Sequence, residues 1–177
     1  MKEVIIKDKT FIEYITPQEL SIIIEELSIR INNDYKDKEP VFLVVLNGAF
    51  IFASDLLRNI NFLPNISFIK LSSYQATSST GKVKELIGLN EIIKDKDIII
   101  IEDIVETGKT MEELLNILKE KQPSSIEICS LFLKPKIFNK DFEVKYVGKQ
   151  IDNSFIVGYG FDYSSLGRNL KGVYKLK

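Results

Sequence analysis

The chain has 177 residues, 45% of them hydrophobic, with 24 basic residues against 25 acidic ones and no histidine. That length supports one sizeable core and is short for two, and the near-neutral charge excludes the global basic field that holds proteins on nucleic acid or anionic lipid, leaving small ligands as the expected partners. Without imidazole there is no histidine base, no Ser/His/Asp triad and no histidine-ligated metal, so catalysis has to use carboxylates, lysines, backbone amides or a hard cation.

Residues 1–9 alternate charged and apolar side chains and lack the basic start and apolar run of a signal peptide. Thr16-Pro17-Gln18-Glu19 reads as an N-cap, a proline in the first turn and a capping-box acid, opening a helix to about residue 32. An unbroken apolar run at 41–46 has strand length, Asn47-Gly48 makes a tight turn, and 49–59 is helical in pattern. A strand is expected at 66–71, followed by the polar, small-residue stretch 72–82, too long for an ordinary turn and suited to a mobile loop. Asp97 to Ile101 is a β-branched run fit for a strand buried on both faces, with a helix at 111–121 and a strand at 125–133. The single cysteine, Cys129, stands among Ile126, Ile128 and Leu131 and reads as an inert buried thiol in a reducing compartment. No apolar stretch approaches the roughly 20 residues of a bilayer crossing, so a cytoplasmic location is expected. Strands alternating with helices predict an α/β fold with a mainly parallel, twisted sheet flanked by helices. The expectation is a single domain over 1–177, with a small hood from about 1–15 and 144–177.

The most informative segment is 98–111. A buried strand ends in Glu102-Asp103, passes Ile104-Val105-Glu106, and enters a helix through Thr107-Gly108-Lys109-Thr110. Free amides at that helix start, a glycine allowing close approach and two hydroxyls form an anion site for a phosphate monoester. Two adjacent acids beside a phosphate need a neutral or cationic partner, and ribose hydroxyls and hydrated Mg²⁺ both qualify. On its own an acid pair before a helix is more often a solvated cap. The full order of apolar strand, acid pair, spacer acid and Thr-Gly-x-Thr is far more specific. It lacks the glycine-lysine spacing of a Walker loop and the three spaced glycines of a dinucleotide fingerprint.

That order resembles the phosphoribosyl pyrophosphate signature of the type I phosphoribosyltransferases, and over nearly the whole chain the resemblance narrows to the hypoxanthine-guanine phosphoribosyltransferases. It implies that Asn47-Gly48 is a pyrophosphate loop with a non-proline cis peptide before the glycine; where the family often carries a basic residue, this chain has Asn47. Ser73 and Tyr74 would belong to a lid that keeps water from the reacting ribose carbon. Lys134, after a strand, would recognise the purine's exocyclic oxygen, since an ammonium only donates. Phe155 would stack on the base, backbone groups near Ile156 would read its edge, Asp162 would lie by the base's amino side and the metal, and Arg168 would clamp pyrophosphate with its planar fork.

The implied activity is purine salvage: the phosphoribosyl group of phosphoribosyl pyrophosphate goes to hypoxanthine or guanine, with Mg²⁺ held by Glu102, Asp103 and Asp162, giving IMP or GMP linked at N9. Glu106 would accept the N7 proton; the family usually has aspartate there, so reach grows by one methylene. Competing readings are a transferase preferring xanthine or another base, and a non-catalytic sensor of phosphoribosyl pyrophosphate on the same fold. By resemblance the chain forms a homodimer or homotetramer through its first strand-turn-helix unit, without nucleic acid or membrane partners.

Overall fold

The computed structural model describes residues 2–72, 84–87 and 93–177. A hairpin of β1 (Glu3–Ile6) and β2 (Lys9–Ile15) leads into helix α1 (Pro17–Tyr35). Thr16 caps this helix with a complete capping box: the Glu19 amide donates to its hydroxyl at 3.2 Å, and the Thr16 amide donates to the Glu19 carboxylate at 2.8 Å. The helix outruns its predicted end because Ile31 and Tyr35 continue the buried stripe of Leu20, Ile24 and Leu27.

Then come β3 (Val41–Leu46), α2 (Phe50–Arg58), β4 (Asn65–Ser72), β5 (Lys84–Ile87), β6 (Asp97–Val105), α3 (Lys109–Lys119), β7 (Ser125–Leu133), β8 (Tyr146–Gln150), β9 (Ile156–Val157) and β10 (Val173–Leu176). The main sheet has the order β5-β4-β3-β6-β7-β8; β5 alone is antiparallel to its neighbour, and β1-β2-β10-β9 form a small antiparallel sheet. Because the central strands are buried on both faces, they read as continuous apolar runs. Phe42, Val44, Ile99 and Ile101 pack under α1 and α2, while Leu43, Val45, Ile98 and Ile100 pack under Leu114 and Leu118 of α3.

Three features depart from the sequence expectation. Strand β6 does not end at the acid pair: its pairing with β7 continues past Glu102 and Asp103 to Val105 opposite Leu133. The segment expected to start the hood at 144 first adds β8 to the main sheet, where Tyr146, 1% exposed, pairs opposite Cys129, so the small sheet draws on the tail only from β9 onward. Strand β5 was not foreseen, and the expected mobile loop lies, apart from Ser72, outside the described residues. Among the described residues no helix is long and apolar enough to cross a membrane.

Candidate active site

The carboxyl ends of β3 and β6 lie side by side, with Val44 opposite Ile101, so the turn after β3 faces the acidic end of β6. Ligands in open α/β sheets bind at this position. The peptide between Leu46 and Asn47 is cis. Gly48 follows it, and its Cα sits so close to Asp103 that a Cβ there would overlap the carboxylate, standing 2.6 Å from Asp103 Cγ.

Glu102 is only 8% exposed. The Asp103 amide donates to Glu102 Oε1 at 3.1 Å, and the Ile104 amide donates to Asp103 Oδ1 at 2.9 Å. Burial, reinforced by the adjacent Asp103, pushes the Glu102 carboxyl well above the usual carboxylate range. Burial raises Asp103 as well, while its hydrogen bonds to Glu102 and Ile104 and the nearby Arg168 guanidinium pull it back. Among the described residues neither acid has an ion-pair partner within 4.0 Å. The pair therefore forms a preorganised oxygen site, without a direct ion-pair partner, whose chemistry suits a cation or a diol.

Beyond it the chain turns into α3 through Gly108, whose φ of +83° suits glycine. No side chain caps this helix start; the Gly108 carbonyl accepts from the Glu112 amide at 2.9 Å, and a Cβ on Gly108 would meet Lys140 Cγ at 2.7 Å. Thr107, Lys109 and Thr110 are exposed around it. These groups, with Val45, Leu46, Gly48 and residues 102–106, line a cavity of about 320 Å³. A larger cleft of about 700 Å³ lies between α1, α2 and the tail, lined by Asp55, Arg58, Tyr159 and Lys171 among others. It holds none of the acids at the end of β6, all of which line the smaller cavity.

Glu106 and Lys134 are brought together from two loops, the carboxylate Oε1 accepting from the ammonium. The Lys134 side chain is 6% exposed and that of Glu106 is 51% exposed. The Lys134 amide also donates to the Val105 carbonyl at 3.0 Å, which ties the end of β7 to that of β6.

The tail closes the other side. Gly160, at φ +103°, presses against the Gly48 carbonyl where any Cβ would collide. Arg168 Nη1 donates to the Gly160 carbonyl at 2.6 Å and Nη2 pairs with Asp162. Asp162 also accepts from the Ser165 amide at 2.6 Å. Phe155 is 46% exposed and is backed by Phe11 and Tyr163 at ring-centroid distances of 6.2 and 6.0 Å. Ile156 is buried in the main core, so its backbone alone is available to a ligand.

Glu102, Asp103, Glu106 and residues 107–110 are thus gathered with Gly48 around one cavity, with Lys134 bonded to Glu106 and Arg168 within electrostatic reach of Asp103. Asn47 is exposed at the rim of the turn. Asp162, expected beside a metal, is instead engaged by Arg168, and among the described residues no three acidic or thiol groups converge as a ligand cluster. Ser73 and Tyr74 lie outside the described residues. Sequence reasoning missed Gly160 as the contact of the turn after β3, and Tyr159, whose hydroxyl donates to Asp55 at 2.5 Å. The signal available for both was the Gly-Tyr-Gly triplet at 158–160.

Residues 13–164 match the model of the phosphoribosyl transferase domain. A hypoxanthine-guanine phosphoribosyltransferase of Staphylococcus aureus (strain Mu50 / ATCC 700699) is 40% identical over 164 residues, 92% of each chain. The crystal structure of a hypoxanthine phosphoribosyltransferase from Staphylococcus aureus superposes with a TM-score of 0.88 at 40% identity, covering 93% of this chain and 90% of that one. A hypoxanthine-guanine phosphoribosyltransferase from Bacillus anthracis superposes with a TM-score of 0.86 at 36% identity, covering 93% and 96%.

Proposed function

The chain belongs to the phosphoribosyl transferase family, and we propose that it transfers the phosphoribosyl group of phosphoribosyl pyrophosphate to hypoxanthine or guanine, giving IMP or GMP and pyrophosphate. The observation that carries this reading is the single cavity shared by a buried acid pair and an uncapped helix start, facing a backbone turn that only glycine fits.

In this reading the amides and hydroxyls of 107–110 hold the 5′-phosphate, with Lys109 adding positive charge. Glu102 and Asp103 accept the ribose hydroxyls and would hold Mg²⁺. The donor set fits that ion, which takes one or two carboxylates, keeps several waters and fills its shell from substrate phosphates. When bound, it neutralises charge on the departing pyrophosphate. Asn47, Gly48 and Arg168 grip the pyrophosphate from the turn and the tail. Phe155 stacks on the purine and the backbone at Ile156 reads its edge. Lys134 donates to the exocyclic oxygen, and Glu106 accepts the N7 proton as the bond forms at N9. Ser73 and Tyr74 would exclude water, and Asp162 orients Arg168 on its way to the phosphates. Most of the acceleration comes from positioning and charge stabilisation.

A single domain with its hood from the terminal strands is supported by the close approach of Gly160 in the tail to the Gly48 carbonyl after β3. Homo-oligomerisation, as a dimer or tetramer, is supported by apolar surface on the α2 side of the sheet, where Phe50, Ile66 and Phe68 are 45%, 43% and 46% exposed. The free, buried Cys129 suits a reducing cytoplasm.

The test is pyrophosphate release with phosphoribosyl pyrophosphate and Mg²⁺, offering hypoxanthine, guanine, xanthine and adenine separately. Release with hypoxanthine or guanine and little with adenine is expected. Release with xanthine alone would reassign the base. Silence with all four, despite phosphoribosyl pyrophosphate binding, would replace the enzyme with a sensor.

A further inference from the structure

We propose that Lys140 is a positioning residue for the phosphate turn: by pairing with Glu112 it cancels a negative charge that the start of α3 would otherwise turn against a phosphate dianion. The inference rests on the role proposed for residues 107–110 and extends it to the loop after β7. That loop folds back over the helix start. The amides of Ile137 and Phe138 both donate to the Lys134 carbonyl, at 3.2 and 3.1 Å, which closes a tight turn. Phe138 then meets Phe142 edge-on at a ring-centroid distance of 5.4 Å, and both rings pack against the cluster that holds Met111, Leu114 and Leu115 of α3. Anchored in this way, the loop lays the Lys140 stem across Gly108, where a Cβ would stand 2.7 Å from Lys140 Cγ and 2.9 Å from Phe138 Cε2. From there the Lys140 ammonium donates to Glu112 Oε2 at 2.7 Å.

Glu112 is the acid in the first turn of α3. A carboxylate in that position is drawn by the same free amides and helix dipole that draw a phosphate, so the two anions compete for one field. A phosphate monoester brings close to two negative charges at neutral pH, and an unpaired Glu112 would repel it. The Lys140 side chain is 22% exposed and that of Glu112 is 47% exposed, and an ion pair so open to water adds little to stability. Its consequence is felt instead by the ligand. With Glu112 neutralised, the amides of the turn and the charge of Lys109 are left for the phosphate.

The experiment titrates ribose 5-phosphate into the whole chain by calorimetry, which needs no turnover, and compares wild type with Lys140→Met, Lys140→Arg, Glu112→Gln and the Glu112→Gln/Lys140→Met double variant. Methionine keeps an unbranched stem over Gly108 and removes the charge. Lys140→Met should weaken binding about 5-fold, since it leaves Glu112 unpaired in the first turn. Lys140→Arg should stay within about twofold of wild type, and so should the double variant, because the two side chains are coupled and removing both restores the charge balance. Glu112→Gln, which frees the ammonium beside the turn, should bind as tightly as wild type or more tightly. KM for hypoxanthine should not move in any of the four, which also shows that they are folded. Wild-type binding in Lys140→Met, or weaker binding in Glu112→Gln, overturns the proposal. A double variant as weak as Lys140→Met overturns it too, by assigning the loss to packing over Gly108. A wild-type chain that binds no ribose 5-phosphate would remove the role of residues 107–110 along with it, whereas a binding wild type and an unaffected Lys140→Met remove the ion pair's role alone.

Discussion

Replacing Gly48 with alanine tests how the turn after β3 and the acid pair are fitted together. A Cβ at this position would overlap an Asp103 oxygen and stand 2.6 Å from Asp103 Cγ and 3.1 Å from Oδ1. One of the two must yield. If the turn moves, it also loses its seat against Gly160, whose backbone touches the Gly48 carbonyl. If Asp103 swings away, it leaves the Ile104 amide that now donates to it at 2.9 Å. Either adjustment amounts to overpacking and should cost about 1–3 kcal/mol of stability. For a chain of this length that lowers the melting temperature by roughly 2–12 °C. The functional loss should be larger, because a displacement of about 1 Å at a positioned group can reduce turnover about 100-fold. The assay is pyrophosphate release across a range of phosphoribosyl pyrophosphate concentrations, paired with a calorimetric melt. A loss in kcat/KM for phosphoribosyl pyrophosphate is expected, with KM for the purine changed far less. Wild-type kcat/KM in Gly48→Ala would refute the claim that the Gly48 backbone and Asp103 form one fitted surface.

Glu102→Gln removes a charge that burial and Asp103 both disfavour, so without Mg²⁺ at neutral pH its melting temperature should equal or exceed that of the wild type, while phosphoribosyl pyrophosphate no longer stabilises it. A clear drop in melting temperature would show the carboxylate to be structural. Arg168→Lys keeps the charge but loses the fork that spans the Gly160 carbonyl and Asp162, so KM for phosphoribosyl pyrophosphate should rise about 10-fold, read by pyrophosphate release. A KM within twofold of wild type would argue against the clamp. The Tyr146 hydroxyl donates to Asp34 at 2.6 Å and, as the largest cause, holds that carboxyl below the usual range. A depressed carboxyl contributes stability that is present above its unfolded value, near pH 4, and is lost as pH falls through the lower folded value. Urea midpoints of Tyr146→Phe should therefore lie below wild type at pH 6 and converge with it toward pH 2. A gap independent of pH would assign the loss to packing alone.

Much of the scaffold was legible locally. The capping box at Thr16, the β-branched run after Asp97 and the strand at 125–133 are decided by near neighbours in the chain, through caps, propensity and two-faced burial, and each forms as read. The full length of β6 was not legible, since Ile104 and Val105 read as a spacer after the acid pair until β7 offers them Phe132 and Leu133 as pairing partners. The place of β8 was not legible for the same reason: a short strand around Tyr146 is readable locally, but its seat at the edge of the main sheet depends on Cys129 lying opposite.

The same division runs through the site. Local order alone marked out Glu102, Asp103, Glu106 and residues 107–110, because phosphate and diol recognition by a strand end and a helix start uses consecutive residues. Composition likewise limits the available chemistry, for a chain without histidine has to work through carboxylates, amides, lysines and a hard cation. Folding alone brings Glu106 to Lys134, 28 residues away, Arg168 to Asp162 and within reach of Asp103, and Gly160 against Gly48. These contacts join loops from different strands. Their geometry is set by sheet register and by the room that glycine leaves, and neither is recorded in any single stretch of chain.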